Sequence, residues 1–153
     1  MRTVFIILAL AVATPLPAQA PSTPPAVAPK HSPVTIEYYY RIKWGHAGEF
    51  LKLYRKNHEP LLKEMQKRGF ISAMKMDEPY THMAGGPRWD LRVTIVYRDA
   101  TAAVGNEPGG WDDVSEEVEK KLYPDKAQHE TEESRRMALL EEHWDVLVYE
   151  ITD

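Results

Sequence analysis

The clearest pattern in the sequence is an alternation of apolar and polar positions. Every second residue is apolar in one stretch near the first third of the chain: Val34, Ile36, Tyr38, Tyr40 and Ile42. A period of two predicts a β-strand with one strongly apolar face. Further strands are predicted at 70–77, at 89–97, and at 144–151, where both faces of the strand carry apolar residues. The pattern therefore indicates a four-stranded sheet.

Apolar residues at helical spacing lie between these strands. They predict one long helix over 49–68, a short helix near 100–104, and two helical segments over 112–122 and 125–143. Pro124 divides the last two segments, because a helix interior tolerates proline badly.

Pro60 interrupts the long helix. Its nitrogen cannot donate to the carbonyl of Lys56 and its ring crowds that carbonyl, so we expect the helix to bend or restart beside Asn57 and His58. The alternative is that Pro60 occupies the first turn of a second helix that Asn57 caps.

The order strand, helix, strand, strand, helix, strand predicts an α+β, ferredoxin-like βαββαβ protomer. Its antiparallel sheet would carry both helices on one face. The opposite face is expected to expose Tyr39, Leu147 and Tyr149, more apolar surface than a soluble monomer usually leaves uncovered, so a homodimer is predicted. Charged residues on that face are expected to pair with one another: Glu37, Arg41, Asp90 and Arg92.

The N-terminus has the organisation of a secretory signal peptide over 1–20. Arg2 precedes an apolar run at 4–13, and Ala18 and Ala20 form a small-residue cleavage site. The run is about half of the ~20 residues that a membrane-spanning helix needs, so no membrane association is expected after cleavage. A proline-rich, extended leader over 21–33 and one domain over 34–153 would remain, in the periplasm or secreted.

Composition narrows the classes of partner. The 153-residue chain has no cysteine and a formal net charge of −4, so it lacks the basic surface that nucleic acids require. No nucleotide-binding glycine pattern or nucleophile elbow occurs in the sequence. We therefore expect no cofactor.

The segment "EYYYRIKWGHAGEFLKLYRKNHEPLLKEMQKRGFI" at 37–71 carries a family resemblance. The segment resembles several branches of the dimeric α+β barrel superfamily in the spacing of four residues: Tyr54, Asn57, His58 and Pro60. That superfamily includes antibiotic-biosynthesis-type monooxygenases, EthD-like proteins and haem-degrading relatives. The resemblance implies a dimer of ferredoxin-like protomers with a ligand cavity between sheet and helices. Haem-degrading activity would depend on a histidine of the second long helix, His129 or His143.

The candidate site centres on His58. It lies four residues after Tyr54 and four before Leu62, so a regular helix would direct all three toward the sheet. An imidazole there is a candidate proton acceptor. The alternative is a core histidine bonded to a tyrosine or a carbonyl. Substrate-binding candidates are Asn57, Tyr38, Tyr40, Tyr54 and, in the glycine-rich loop 79–88, His82.

These residues predict an exported protein that holds an apolar or aromatic molecule. Cofactor-independent monooxygenation or proton transfer of the isomerase or cyclase type by His58 is one activity that fits. The alternatives are a non-catalytic binder of a ligand or haem, and a structural protein whose core is filled. His129 and Glu133, four residues apart, have the spacing of a metal pair, but no third ligand accompanies them.

Overall fold

The computed structural model describes residues 32–105 and 107–148. The predicted signal peptide and most of the predicted leader lie outside the described residues. The strands are β1 (Val34–Ile42), β2 (Ile71–Asp77), β3 (Leu91–Tyr97) and β4 (Leu140–Val148). The helices are α1 (Ala47–Leu53), a π-helical turn (Tyr54–His58), α2 (Glu59–Lys67), α3 (Ala100–Val104), α4 (Trp111–Leu122) and α5 (Lys126–Ala138). None of the helices in these ranges is long and apolar enough to cross a bilayer.

The four strands form one sheet in the order β2-β3-β1-β4, and every neighbouring pair is antiparallel. Both crossovers, from β1 to β2 and from β3 to β4, pass through helices. This is the ferredoxin-like βαββαβ arrangement, which confirms the predicted fold class.

One face of the sheet packs against the helices. The alternating residues of β1 and β3 lie opposite one another on this inner face, with Tyr40 beside Leu91 and Ile36 beside Ile95. The buried apolar residues form one core: Ile36, Tyr40, Ile42, Phe50, Tyr54, Leu61, Leu62, Met65, Phe70, Ile71, Leu91, Val93, Ile95, Tyr97, Ala102, Val118 and Leu139. The inner face is thus where the sequence alternation placed it.

The prediction of a helix over 125–143 was wrong at its C-terminal end. The helix ends at Ala138, and Leu140, Glu142 and His143 already pair with β1, His143 lying opposite Tyr40. The glutamates in this segment favour a helix locally. Contacts with distant parts of the chain nevertheless place them in a strand. Glu141 lies 3.2 Å from the buried Arg88 guanidinium, and Glu142 lies 2.9 Å from that of Arg41.

The predicted faces of the last strand were also partly wrong. Leu147 pairs with Ile36 and therefore lies on the helix side of the sheet, not on the opposite face. It is nevertheless 67% exposed, because β4 is an edge strand. Tyr149, predicted on the same face, lies outside the described residues.

Aromatic and charged side chains share the outer face of the sheet. Tyr39 stacks on Trp144 with ring centroids 5.3 Å apart and meets Trp89 edge-on at 5.9 Å. Arg92 pairs with Asp77 at 3.0 Å and with Glu37 at 3.6 Å, so these outer-face charges pair as predicted.

Asp90 and Arg41 instead act at the end of the sheet. The Asp90 carboxylate accepts a hydrogen bond from the Ile42 backbone N–H at 2.7 Å, next to the point where the β1–β4 register shifts. The Arg41 Nε donates to the Arg88 carbonyl at 2.9 Å. These contacts hold the loop before β3 against the end of β1.

Candidate functional site

A cavity of about 180 Å³ lies between the inner sheet face and the helices. It is lined by Tyr38, Tyr40, Tyr54, His58, Leu62, Ile95, Tyr97, Ala103 and Trp111. Four of the candidate residues from the sequence, His58 and three tyrosines, are therefore brought together at one place. Strand β1 supplies two of these tyrosines, and the π-helical turn supplies the third together with the histidine.

The π-helical turn explains how this part of the helix is built. The Glu59 backbone N–H donates to the Tyr54 carbonyl, five residues earlier, instead of following the α-helical pattern. Pro60 lies in the first turn of α2, where its missing N–H is tolerated. The alternative that Pro60 occupies the first turn of a second helix is therefore confirmed, but the residue that precedes this helix is His58 and not Asn57.

Asn57 is not the cap of the second helix, and it does not line the cavity. Its side chain is buried and donates from Nδ2 to Oε2 of Glu132 on α5 at 2.9 Å. His58, the next residue, instead contributes to the cavity wall. The assignment of Asn57 as a group that orients substrate beside His58 therefore does not fit this geometry, because its amide is engaged by the neighbouring helix.

His58 is held as a neutral imidazole. Its pKa is lowered from 6.5 to about 4, chiefly by burial and also by the positive charge of Arg136, while the Glu133 carboxylate opposes both effects. Its ring meets the Tyr54 ring edge-on at 5.1 Å. At neutral pH this imidazole offers one nitrogen that accepts a hydrogen bond and one that donates.

The four phenols around the cavity are held in their protonated form. Burial raises the pKa of Tyr40 to about 12 and also raises the pKa values of Tyr38, Tyr54 and Tyr97. The hydroxyls of Tyr38 and Tyr97 are 2.7 Å apart and satisfy each other.

The Tyr54 hydroxyl differs from the other phenols. The residue is 0% exposed, and its hydroxyl has almost no accessible surface, so the hydroxyl does not open into the cavity. A hydrogen-bonding interaction with the Tyr40 hydroxyl contributes to the pKa values of both phenols. Tyr54 therefore belongs to the core behind the cavity wall.

Three residues near the site were not among the catalytic or substrate-binding candidates chosen beside His58 from the sequence. Tyr97 lies on the predicted inner face of β3, so its alternation already indicated a hydroxyl pointing toward the helices. His143 stacks on Tyr40 with centroids 4.4 Å apart, but its position was hidden by the error in the start of β4.

The third missed residue is Arg136, which is buried although it is charged. Its guanidinium lies 5.6 Å from the Tyr54 ring centroid and 5.7 Å from that of Phe50. It donates to Glu133 from Nε at 3.0 Å and from Nη2 at 2.6 Å. The three-residue spacing of Glu133 and Arg136 on a helix was the only sequence signal for this pair.

His82 lies away from the cavity. It is exposed in the loop before β3 and lines a separate surface groove with Trp44, Tyr80 and Trp89. The geometry therefore gives it no place beside His58.

The two residues with the spacing of a metal pair, His129 and Glu133, each have another partner. The ring of His129 stacks on that of Tyr123 at 3.9 Å, and its Nε2 lies 3.4 Å from the Asn57 carbonyl. Glu133 is taken by Arg136. Across the described part of the chain, no group of three or more histidine, aspartate or glutamate side chains is arranged to hold a metal ion.

No protein-family model matches the sequence, and no protein of curated function is significantly similar to it. Among solved structures, a dimeric ferredoxin-like protein from an uncultured marine organism is 8% identical, with a TM-score of 0.49 over 81% of this chain and 93% of that one. A NIPSNAP family protein from Agrobacterium tumefaciens is 20% identical, with a TM-score of 0.43 over 80% and 89%. An EthD family protein from Bacillus halodurans is 12% identical, with a TM-score of 0.45 over 78% and 100%.

These likenesses concern the fold alone. The element order and the sheet order of this chain are themselves those of the ferredoxin-like protomer that the resemblance implies.

Proposed function

We propose that this protein binds a small apolar or aromatic molecule in the cavity beside His58. The observation that carries the proposal is the cavity itself, whose walls are largely aromatic and include the imidazole of His58. Drug-sized ligands occupy about 300–1,000 Å³, whereas an apolar cavity of about 150 Å³ holds a benzene molecule. A volume of about 180 Å³ fits one ring.

The same volume bears on the alternatives. Haem carries four pyrrole rings and exceeds a space that suits one ring, so we do not propose haem binding. A structural protein with a filled core would have no void beside His58, and the cavity argues against that alternative.

The test is calorimetric titration with toluene, a one-ring apolar probe. Ala103→Leu adds volume at the cavity wall and should abolish toluene binding. Ala100→Leu, an exposed position in the same short helix, is the matched control and should bind like the wild type. Binding that survives Ala103→Leu, or no binding by the wild-type protein, would contradict the proposal.

A second candidate function is proton transfer or cofactor-independent monooxygenation, with His58 accepting the proton. It is favoured by the position of His58 in the cavity wall, where burial lowers the pKa of the imidazole and leaves it unprotonated at neutral pH. His58→Gln should then abolish turnover of an aromatic substrate while leaving toluene binding in place. Loss of binding together with activity would assign His58 to recognition only.

We also propose a homodimer formed through the outer face of the sheet. The stacked Tyr39 and Trp144, with Trp89 beside them, give that face an aromatic patch that a second copy would cover by two-fold symmetry. Native mass spectrometry should report a dimer for the wild type and a monomer for Trp144→Glu. Tyr80→Glu, at a fully exposed loop position, should remain dimeric. A monomeric wild-type protein would refute the assignment.

Export is proposed from the sequence of residues 1–20. The protein recovered from a periplasmic or culture-medium fraction should have the intact mass of a chain that begins at Pro21. Full-length protein confined to the cytoplasmic fraction would exclude cleavage at that site.

A further inference from the structure

A second concave site lies outside the cavity beside His58. It is a groove of about 200 Å³ formed by the turn after β1 and the loop between β2 and β3. Its walls include three aromatic residues and two acidic ones: Trp44, Tyr80, Trp89, Glu78 and Asp90. We call it the aromatic groove. Trp44 is 66% exposed and Tyr80 is fully exposed, so the groove is open to solvent.

The indole of Trp44 is stacked against a buried cation. The Arg88 guanidinium carbon lies over the ring, 4.3 Å from its centroid, and Arg88 itself is only 4% exposed. Its Nη2 donates to the Ile42 carbonyl and lies 3.2 Å from the carboxylates of Asp90 and Glu141. Because Arg88 is fixed on the protein side of the ring, the solvent side of Trp44 is left for a second cation.

Negative charge prevails along the groove. The described residues that line it include two acids and no lysine or arginine. Asp90 is paired with Arg88, but the carboxylate of the exposed Glu78 makes no ion pair or hydrogen bond with any residue of the ranges 32–105 and 107–148. A cation in the groove would therefore meet an unpaired carboxylate, whereas an anion would be repelled by it.

Aromatic faces and a carboxylate together select one class of ligand. The face of an aromatic ring attracts a cation, tryptophan most strongly, and quaternary ammonium ions are recognised in this way. From these observations we infer that the aromatic groove binds a small quaternary ammonium compound. Its methylated nitrogen would lie on the solvent side of Trp44, with Tyr80 beside it and Glu78 balancing its charge.

The test compares two probes of the same shape and different charge. Choline and 3,3-dimethyl-1-butanol differ by a nitrogen cation in place of a neutral carbon atom. In NMR titrations of the full chain, choline should shift the indole N–H signal of Trp44 until the site is saturated. It should bind about fivefold more tightly than the neutral alcohol, the ratio that a cation–π attraction of about 1 kcal/mol gives.

Two variants assign the effect to the groove, and choline binding in them is followed by calorimetry. Trp44→Leu keeps an apolar side chain without the aromatic face and should bind choline only as tightly as the neutral alcohol. Glu78→Gln should bind choline about two- to fivefold more weakly, the range of an exposed ion pair, with the affinity for the alcohol unchanged. Glu130→Gln, which removes the same charge from an exposed position on α5, is the matched control and should bind like the wild type.

Equal affinity of the wild type for choline and for the neutral alcohol would overturn the inference. Choline binding that is unchanged in both Trp44→Leu and Glu78→Gln would overturn it as well, and so would the absence of choline binding. Thermal melting checks that the variants fold. If Trp44→Leu does not, Glu78→Gln and the comparison of the two probes still decide the matter. The result is independent of the cavity beside His58, because Ala103→Leu should bind choline like the wild type.

Discussion

Acid should destabilise this protein through His58, and the effect is large enough to measure. Burial lowers the pKa of the imidazole from 6.5 to about 4 in the folded chain, because the charged form would lose its hydration. In the unfolded chain the same group has its ordinary pKa. Between these two values the unfolded chain binds a proton that the folded chain does not, so stability falls as the pH falls through this window.

The magnitude follows from the two pKa values. Lowering the pH from about 7.5 to about 4.5 should remove about 2.5 kcal/mol of stability, since each pKa unit corresponds to about 1.4 kcal/mol. That is a considerable part of the roughly 5–15 kcal/mol by which small domains are stable. At neutral pH and above, both states are deprotonated and the contribution to the pH dependence disappears.

The assay is urea unfolding of the wild type and of His58→Gln at several pH values and one protein concentration. Other groups titrate in both proteins, so the quantity of interest is the difference between their free energies of unfolding. This difference should shift by about 2.5 kcal/mol against the wild type as the pH falls to about 4.5. His82→Gln, an exposed loop position, is the control and should follow the wild type. If the free energies of unfolding of the wild type and of His58→Gln change with pH in the same way, His58 is not a buried neutral imidazole.

Two further predictions concern the contacts of α5 with the π-helical turn. Arg136→Met should raise the pKa of His58 and Glu133→Gln should lower it, because the two side chains shift this pKa in opposite directions. Titration of the His58 ring by NMR measures both shifts. Shifts in the same direction would contradict the opposite effects of Arg136 and Glu133 on the imidazole. Asn57→Ala should lower the melting temperature without changing toluene affinity, since the buried amide bonds Glu132 and not the cavity; a loss of affinity in a folded variant would return Asn57 to the site.

Local patterns were sufficient for much of the fold. The bounds of β1 follow from its alternation alone, and the inner face of β3 follows from the alternation of Leu91 to Tyr97. These strands were predictable because successive residues point to opposite faces of the sheet, and the apolar residues mark the face that lies against the core. The convergence of Tyr38, Tyr40, Tyr54 and His58 on one cavity follows from the same local patterns.

Features that depend on distant partners were not predictable in this way. The start of β4 is decided by pairing with β1, about a hundred residues earlier in the chain, and its glutamates have no preference for a strand. The inward position of Leu147 depends on the same register. The π-helical turn left only Pro60 as a signal, so the separation of Asn57 from His58 could not be read from a regular helical period.

The electrostatics of His58 favour recognition over catalysis at neutral pH. A general base works best when its pKa lies near the operating pH, because it must be deprotonated and still attract a proton. With a pKa of about 4, His58 meets the first requirement and falls short in the second. A neutral ligand in the cavity would displace water and bury the imidazole further, which lowers its pKa again. His58 is therefore better suited to hydrogen-bond an uncharged ligand than to remove a proton from it.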